Sequence, residues 1–112
     1  MTADVSDYNA VKEMTEKALA ETDGIDVLVN VAGNALMAPL EQMTMDDWRG
    51  VLGVDLFGPL NTVHCLYPHM MKRRSGHIVN IASVAGLFAL NPYNAPYCVS
   101  KFAVWVSVNR SC

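Results

Sequence analysis

At 112 residues, with 52% hydrophobic residues and a formal net charge of −3, the chain has the length and apolar content for one packed domain. The slight acidic balance gives no general attraction to nucleic-acid phosphates or anionic lipid, and the basic cluster Lys72-Arg73-Arg74 reads as a helix C-terminus complementing its dipole. Three cysteines, Cys65, Cys98 and Cys112, are odd in number and irregular in spacing, which argues against a disulfide framework or zinc knuckle and for a reduced, cytoplasmic setting.

The opening, Met1-Thr2-Ala3-Asp4, does not read as a signal peptide, and no apolar run approaches a membrane span of roughly 20 residues. Neither a membrane nor a nucleic acid is an expected partner. Asn109-Arg110-Ser111 matches a glycosylation acceptor but reads as a chance match in this setting.

The first element is a helix from Asp7 to about Glu21, with Val11, Met14, Ala18 and Leu19 at helical spacing. Ser6 or Asp7 is its expected N-cap and Gly24 its stop. Ile25-Asp26-Val27-Leu28-Val29-Asn30 is a short β-branched run after a glycine, and His77-Ile78-Val79-Asn80-Ile81-Ala82 repeats that form after Gly76. Both are expected to be buried parallel strands.

Between them, Thr44 to about Arg73 predicts a long helical stretch opened by Thr44-Met45-Asp46-Asp47, a capping box with Asp in place of Glu. Gly58-Pro59 is expected to kink or split it. A last helix is expected to begin near Pro96 and to run past Lys101, since proline suits a first helical turn. Strands alternating with helices imply an α/β fold, a partial doubly wound, Rossmann-like parallel sheet with flanking helices and right-handed crossovers.

Chemistry concentrates in Tyr97-Cys98-Val99-Ser100-Lys101, where a phenol and an ammonium stand one helical turn apart and project from one face. A cation beside a phenol favours the phenolate and suits it to general acid or base work. Ser83 follows the second strand directly, lies 14 positions before Tyr97 and precedes Val84-Ala85-Gly86, where glycine permits a tight loop. Asn30-Val31-Ala32-Gly33 follows the first strand in the same way. In open α/β sheets, ligands bind beyond the carboxyl ends of strands, so two strand ends and a helix start are expected to meet at one crevice.

These residues, taken in order, resemble a classical short-chain dehydrogenase/reductase from Asp4 to about Trp105, as an internal piece running from the third strand to the catalytic helix. Asp4-Val5 resembles the pair after the third strand that contacts adenine. Asn30-Val31-Ala32-Gly33 resembles the Asn-Asn-Ala-Gly signature with Val31 in second place. Ser83 resembles the substrate-orienting serine, and Tyr97 with Lys101 the catalytic pair.

The resemblance implies hydride transfer between NAD or NADP and a small-molecule alcohol or carbonyl. Tyr97 would give or take the hydroxyl proton, Ser83 would hold the substrate oxygen, and Lys101 would favour the Tyr97 phenolate and bond the nicotinamide ribose. Asp4, Val5, Asn30, Ala32, Gly33, Tyr97 and Lys101 are the implied cofactor contacts. Ala32 and Gly33 would let the backbone pass close to the adenosine ribose. An intact relative is expected to be a homo-oligomer through the long helix and the helix after Tyr97.

Three features depart from that family. Its glycine-rich phosphate turn is not among these residues, and Gly50, Gly53 and Gly58 read as packing or kink glycines within a helix rather than a substitute for it. The Ile25 to Asn30 strand would then keep an open edge and the Asp4-Val5 strand would have no neighbour, leaving apolar surface uncovered. Asp55 stands where the family usually has an asparagine that links a helix kink to Lys101 through water. An ionised Asp accepts hydrogen bonds but cannot donate them, and a carboxylate there could hold the Lys101 ammonium. Val106-Ser107-Val108-Asn109-Arg110-Ser111-Cys112 no longer follows the pattern. A truncated or frame-shifted product would account for both ends.

Other residues have plainer readings. His64, Cys65 and His69 do not form a metal set, because positions five apart share a helical face poorly and no carboxylate completes them. Met37, Met43, Met45, Met70 and Met71 read as gap-filling core or interface residues, and Trp48 and Trp105 as packing anchors. The sequence therefore supports an oxidoreductase, with a non-catalytic fragment or a piece that docks on an intact relative as the alternative.

Overall fold

The computed structural model describes residues 1–34, 36–81, 96–101 and 103. In chain order these form helix α1 (Tyr8–Glu21), strand β1 (Val27–Asn30), a single 3-10 turn (Leu40–Gln42), helices α2 (Met45–Asp55) and α3 (Phe57–Arg73), and strand β2 (His77–Asn80). Residues 96–101 and 103 are helical, which agrees with the helix expected to carry Tyr97 and Lys101. β1 and β2 pair in parallel, with Val27 opposite His77 and Asn30 opposite Asn80. Bonds from His77 N to Asp26 O and from Ile81 N to Asn30 O extend the pairing just past both ends.

Local sequence explains most boundaries. Asp7, rather than Ser6, caps α1 by accepting the Ala10 amide at 3.2 Å, and the helix ends at Glu21, before Gly24. The Thr44 capping box is complete, because Thr44 Oγ1 accepts the Asp47 amide at 3.1 Å while the Asp47 carboxylate accepts the Thr44 amide at 2.9 Å. The long helical stretch does divide, but at Leu56 rather than at Gly58-Pro59. Pro59 is the third residue of α3, where its missing N–H has no helical partner to lose, so it opens a helix instead of breaking one. Lys72 and Arg73 occupy the last turn of α3, and Arg74 closes it in the left-handed conformation at φ 55°.

One side of α3 holds the molecule together. Gly58, Thr62, Leu66 and Met70, each four residues after the last, are all buried and face α1, β1 and the segment before α1. At the first of these, an added Cβ would lie 2.8 Å from Val5 Cγ2, so only glycine lets the chain cross there. Gly53 has less constraint, with Ser6 Cβ at 3.4 Å, and Gly50 faces open space. Gly58→Ala is therefore expected to cost about 1–3 kcal/mol through overpacking, whereas Gly50→Ala should gain roughly 0.5–1 kcal/mol of helix propensity. Urea unfolding midpoints moving in opposite directions would verify the pair, and equal shifts would contradict it.

Two expectations are corrected. β1 and β2 are not buried on both faces, for Val27, Val29 and Val79 are 53%, 52% and 43% exposed. The burial alternates identically in the two strands, so Leu28, Asn30, Ile78 and Asn80 turn toward α3 while the opposite face is open. A β-branched run suits a strand covered on both sides, but among the described residues only one cover exists. Nor does a strand form at Asp4-Val5. Asp4 accepts the amide and hydroxyl of Ser6 at 2.9 and 2.7 Å, closing a turn, and the Val5 carbonyl accepts Asn61 Nδ2 at 2.9 Å.

Candidate active site

The carboxyl ends of β1 and β2 are joined by side chains as well as by backbone. Asn30 Nδ2 donates to Asn80 Oδ1 at 2.7 Å, and Asn30 Oδ1 accepts the Thr62 hydroxyl from α3 at 2.6 Å. Both ends of the Asn30 amide are thereby engaged, which fixes the direction in which the chain leaves β1 toward Val31-Ala32-Gly33. Those three residues and Asn34 are exposed.

Across from this loop, Tyr97 is half-buried and Lys101 is buried, 7% exposed. The Lys101 ammonium lies 5.4 Å from the centre of the Tyr97 ring, the juxtaposition expected of residues four apart on a helix. Among the described residues, no carboxylate lies within ion-pair distance of the ammonium. Ser100, fully buried, places its hydroxyl 2.7 Å from the Tyr97 carbonyl.

Asp55, the last residue of α2, connects the two regions. It is 1% exposed, with Oδ1 accepting the Asn34 amide at 2.6 Å and Oδ2 accepting the Ser100 hydroxyl at 3.2 Å. Asp55 thus does not hold the Lys101 ammonium, because no ion pair within 4 Å joins them. Its carboxylate serves the neighbouring residue on that helix instead.

Of the sequence candidates, Tyr97 and Lys101 stand together, and the Asn30 to Gly33 loop is tied to their helix through Asn34, Asp55 and Ser100. Asp4 and Val5 belong to the turn before α1, whose contacts are with Ser6, Gly58 and Asn61. The Ser6 hydroxyl and amide hold the exposed Asp4 carboxyl below the usual carboxylate range. Ser83, the Val84-Ala85-Gly86 loop, Trp105, Cys112 and the stretch Val106 to Cys112 lie outside the described residues.

Thr62, Asn80, Asn34 and Ser100 were not singled out from the sequence. Asn80 alone had a partial signal, since Asn30 and Asn80 each end a strand of matching pattern, but their pairing depends on the parallel register that only the structure gives. His64 packs its ring against Tyr8, with centroids 5.7 Å apart, rather than joining His69. Among the described residues no helix is long and apolar enough to cross a membrane.

Comparison with known proteins places this geometry in a family. The chain is 41% identical over 100 residues to the 3-oxoacyl-(acyl-carrier-protein) reductase FabG of Thermotoga maritima, covering 89% of this chain and 40% of the reductase. The gluconate 5-dehydrogenase of Burkholderia cenocepacia, solved with NADP and tartrate, superposes with a TM-score of 0.92 at 34% identity, over 98% of this chain and 43% of that one. An NAD+-bound xylitol dehydrogenase gives 0.91 at 28% identity, over 99% and 43%. The chain spans about 40% of the length of the curated relatives it matches, and its fold is the Rossmann-like α/β fold of these structures. Residues 1–109 match the sequence model for short chain dehydrogenase, and the chain belongs to that family.

Proposed function

We propose that the chain carries the proton-transfer half of an NAD(P)-dependent alcohol and carbonyl oxidoreductase, with Tyr97 as the general acid or base. The observation that carries this reading is the pairing of Tyr97 with a buried Lys101 whose ammonium lies 5.4 Å from the centre of its ring. A largely buried ammonium beside a phenol favours the phenolate, which suits Tyr97 to give or take a proton.

The residues fit the nicotinamide-ribose end of a dinucleotide. Lys101 offers donors for ribose hydroxyls, and the exposed backbone at Ala32 and Gly33, held by the Asn30 amide, offers a surface that a flat or sugar group can approach closely. At Gly33 the nearest described atoms to an added Cβ are ordinary contacts at 3.7 and 3.8 Å, so packing against the described residues does not demand glycine there, and a residue without a side chain suits close approach of a ligand. A bound nicotinamide supplies or accepts the hydride. Tyr97 Oη gives its proton to a carbonyl oxygen or takes it from a hydroxyl, and Ser83 orients that oxygen. Asp4 and Val5 take the adenine end. The relatives solved with NADP and with NAD+ leave both cofactors as candidates, with a small alcohol or carbonyl compound as substrate in the cytoplasm.

The test is a titration of the chain with NADH and NADPH, followed by nicotinamide fluorescence, with circular dichroism run in parallel. Saturable binding to a cooperatively folded chain, followed by turnover of secondary alcohols or ketones, is the expected result. A folded chain that binds neither would overturn the reading.

A second reading has its own observation. Phe57, Leu60, Tyr67 and Met71 are 41–60% exposed along the outer face of α3, and the first three, with Tyr8, border an open groove of about 530 Å³. Such a face supports self-assembly in an intact protein, or docking of this chain onto a longer relative without catalysis of its own. Unchanged sedimentation on adding such a relative would count against docking.

A further inference from the structure

We propose that the open face of the β1–β2 sheet is a self-association surface, on which two copies of the 112-residue chain stack face to face about a two-fold axis. The proposal is independent of the oxidoreductase reading, and it concerns the side of the sheet away from α3 and its groove.

The strands define this face by their register. Val27 and Val29 alternate outward in β1, Val79 does so in β2, and the parallel pairing sets Val29 directly beside Val79. Val31 and Ile81, one residue past each strand, continue the face, and all five side chains are 43–64% exposed. Each is β-branched, so its rotamers are few and ordering it against a partner costs little entropy. Among the described residues no Asp, Glu, Lys or Arg occupies these positions. His77, exposed at the start of β2 beside Val27, is the one titratable side chain on the strand positions of this face.

Charge selects the occupant. The chain carries a formal net charge of −3, so two copies repel one another overall. The sheet face has no Asp, Glu, Lys or Arg, and a two-fold axis sets it against itself, so apolar contact forms there without desolvating an ion pair. Two sheets stacked in this way lie about 10 Å apart with their inner side chains interdigitated. Area sets the strength. A face of this kind matches the largest apolar patches on monomers, about 300–600 Å². Two of them bury about 600–1,200 Å², at or below the lower bound of a stable interface, which makes the pair reversible, with a dissociation constant of about 10–1,000 µM.

The experiment is sedimentation equilibrium of the 112-residue chain at concentrations spanning that range, with valine methyl resonances followed by NMR over the same series. The weight-average mass should rise from one copy toward two. The methyl resonances of Val27, Val29 and Val79 should move with concentration, while those of the buried Val51 stay in place. Val29→Lys puts an ammonium at the centre of the face, where it reaches water in the single chain but is buried without a partner, twice over, in the pair. It should raise the dissociation constant by about a hundredfold or more. Val29→Thr combined with Val79→Thr keeps the β-branched shape and strand preference, should raise it by about tenfold, and serves if circular dichroism shows that Val29→Lys does not fold. Leu60→Lys, on the outer face of α3, should leave it unchanged.

A chain that keeps the mass of one copy throughout, a mass that grows past two copies through the open strand edges, or methyl shifts confined to other residues would overturn the proposal. So would a pair that Leu60→Lys abolishes and the sheet-face variants do not, which would assign the contact to the outer face of α3 instead.

Discussion

Tyr97→Phe should reduce turnover by about a hundredfold to ten-thousandfold, the usual contribution of a positioned general acid or base, while nicotinamide affinity changes little. The structure makes this substitution unusually clean. Phenylalanine keeps the ring, so the Lys101 ammonium, 5.4 Å from its centre, retains its aromatic neighbour and the helix keeps its packing. The backbone carbonyl of residue 97, which faces the Ser100 hydroxyl at 2.7 Å, is unaffected. What is lost is the hydroxyl alone. Single-turnover kinetics would separate the slowed chemical step from binding, and fluorescence titration would report the affinity directly. Weaker cofactor binding with turnover retained would contradict the role given to Tyr97 and shift attention to Lys101 as a binding group only.

The same pair shows what a sequence can reveal about a site and what it cannot. Tyr97 and Lys101 were legible because both lie on one helix, where a spacing of four residues fixes their mutual position. Asn30 was legible as a strand end, but its role in joining Asn80 and Thr62 was not, since those bonds depend on the parallel register and on which side of α3 faces the sheet. Asp55 shows the limit most clearly. Its neighbours in space, Asn34 and Ser100, share no periodicity with it, and its proximity to Lys101 in the expected topology suggested an ion pair that the geometry replaces with a hydroxyl and an amide.

Fold-level reading met a similar boundary. The helices, the capping box and the parallel pairing follow from local patterns, whereas the break at Leu56 depends on Pro59 being accepted in a first turn. β-branched runs predict strands without telling how many faces are covered. Val27, Val29, Val31, Val79 and Ile81, 43–64% exposed, form an apolar surface on the sheet side away from α3. Relatives more than twice as long have further chain with which to cover the equivalent face.

Leu66→Ala should leave the chain without a cooperative thermal transition. Leu66 is 3% exposed at the middle of the buried stripe Gly58, Thr62, Leu66 and Met70, between the contacts of α3 with Val5 and Asn30 toward one end and with the segment leading into β2 toward the other. Truncating a buried leucine to alanine costs about 2–5 kcal/mol, the spread reflecting how far neighbours collapse into the space. Stability on the order of 0.05–0.15 kcal/mol per residue would give a chain of this length roughly 5–15 kcal/mol when its core is complete. Among the described residues the buried apolar side chains are few, Val11, Val51, Leu66, Met70, Pro96 and Cys98, and the sheet face that carries Val27, Val29 and Val79 is about half exposed. The loss therefore falls on a small reserve. Leu60→Ala is the matched comparison, because Leu60 is on the same helix but 41% exposed, and it should shift the midpoint only slightly. Thermal unfolding followed by circular dichroism distinguishes the two, and equal midpoints for both variants would show that the buried stripe of α3 is not what holds this chain together.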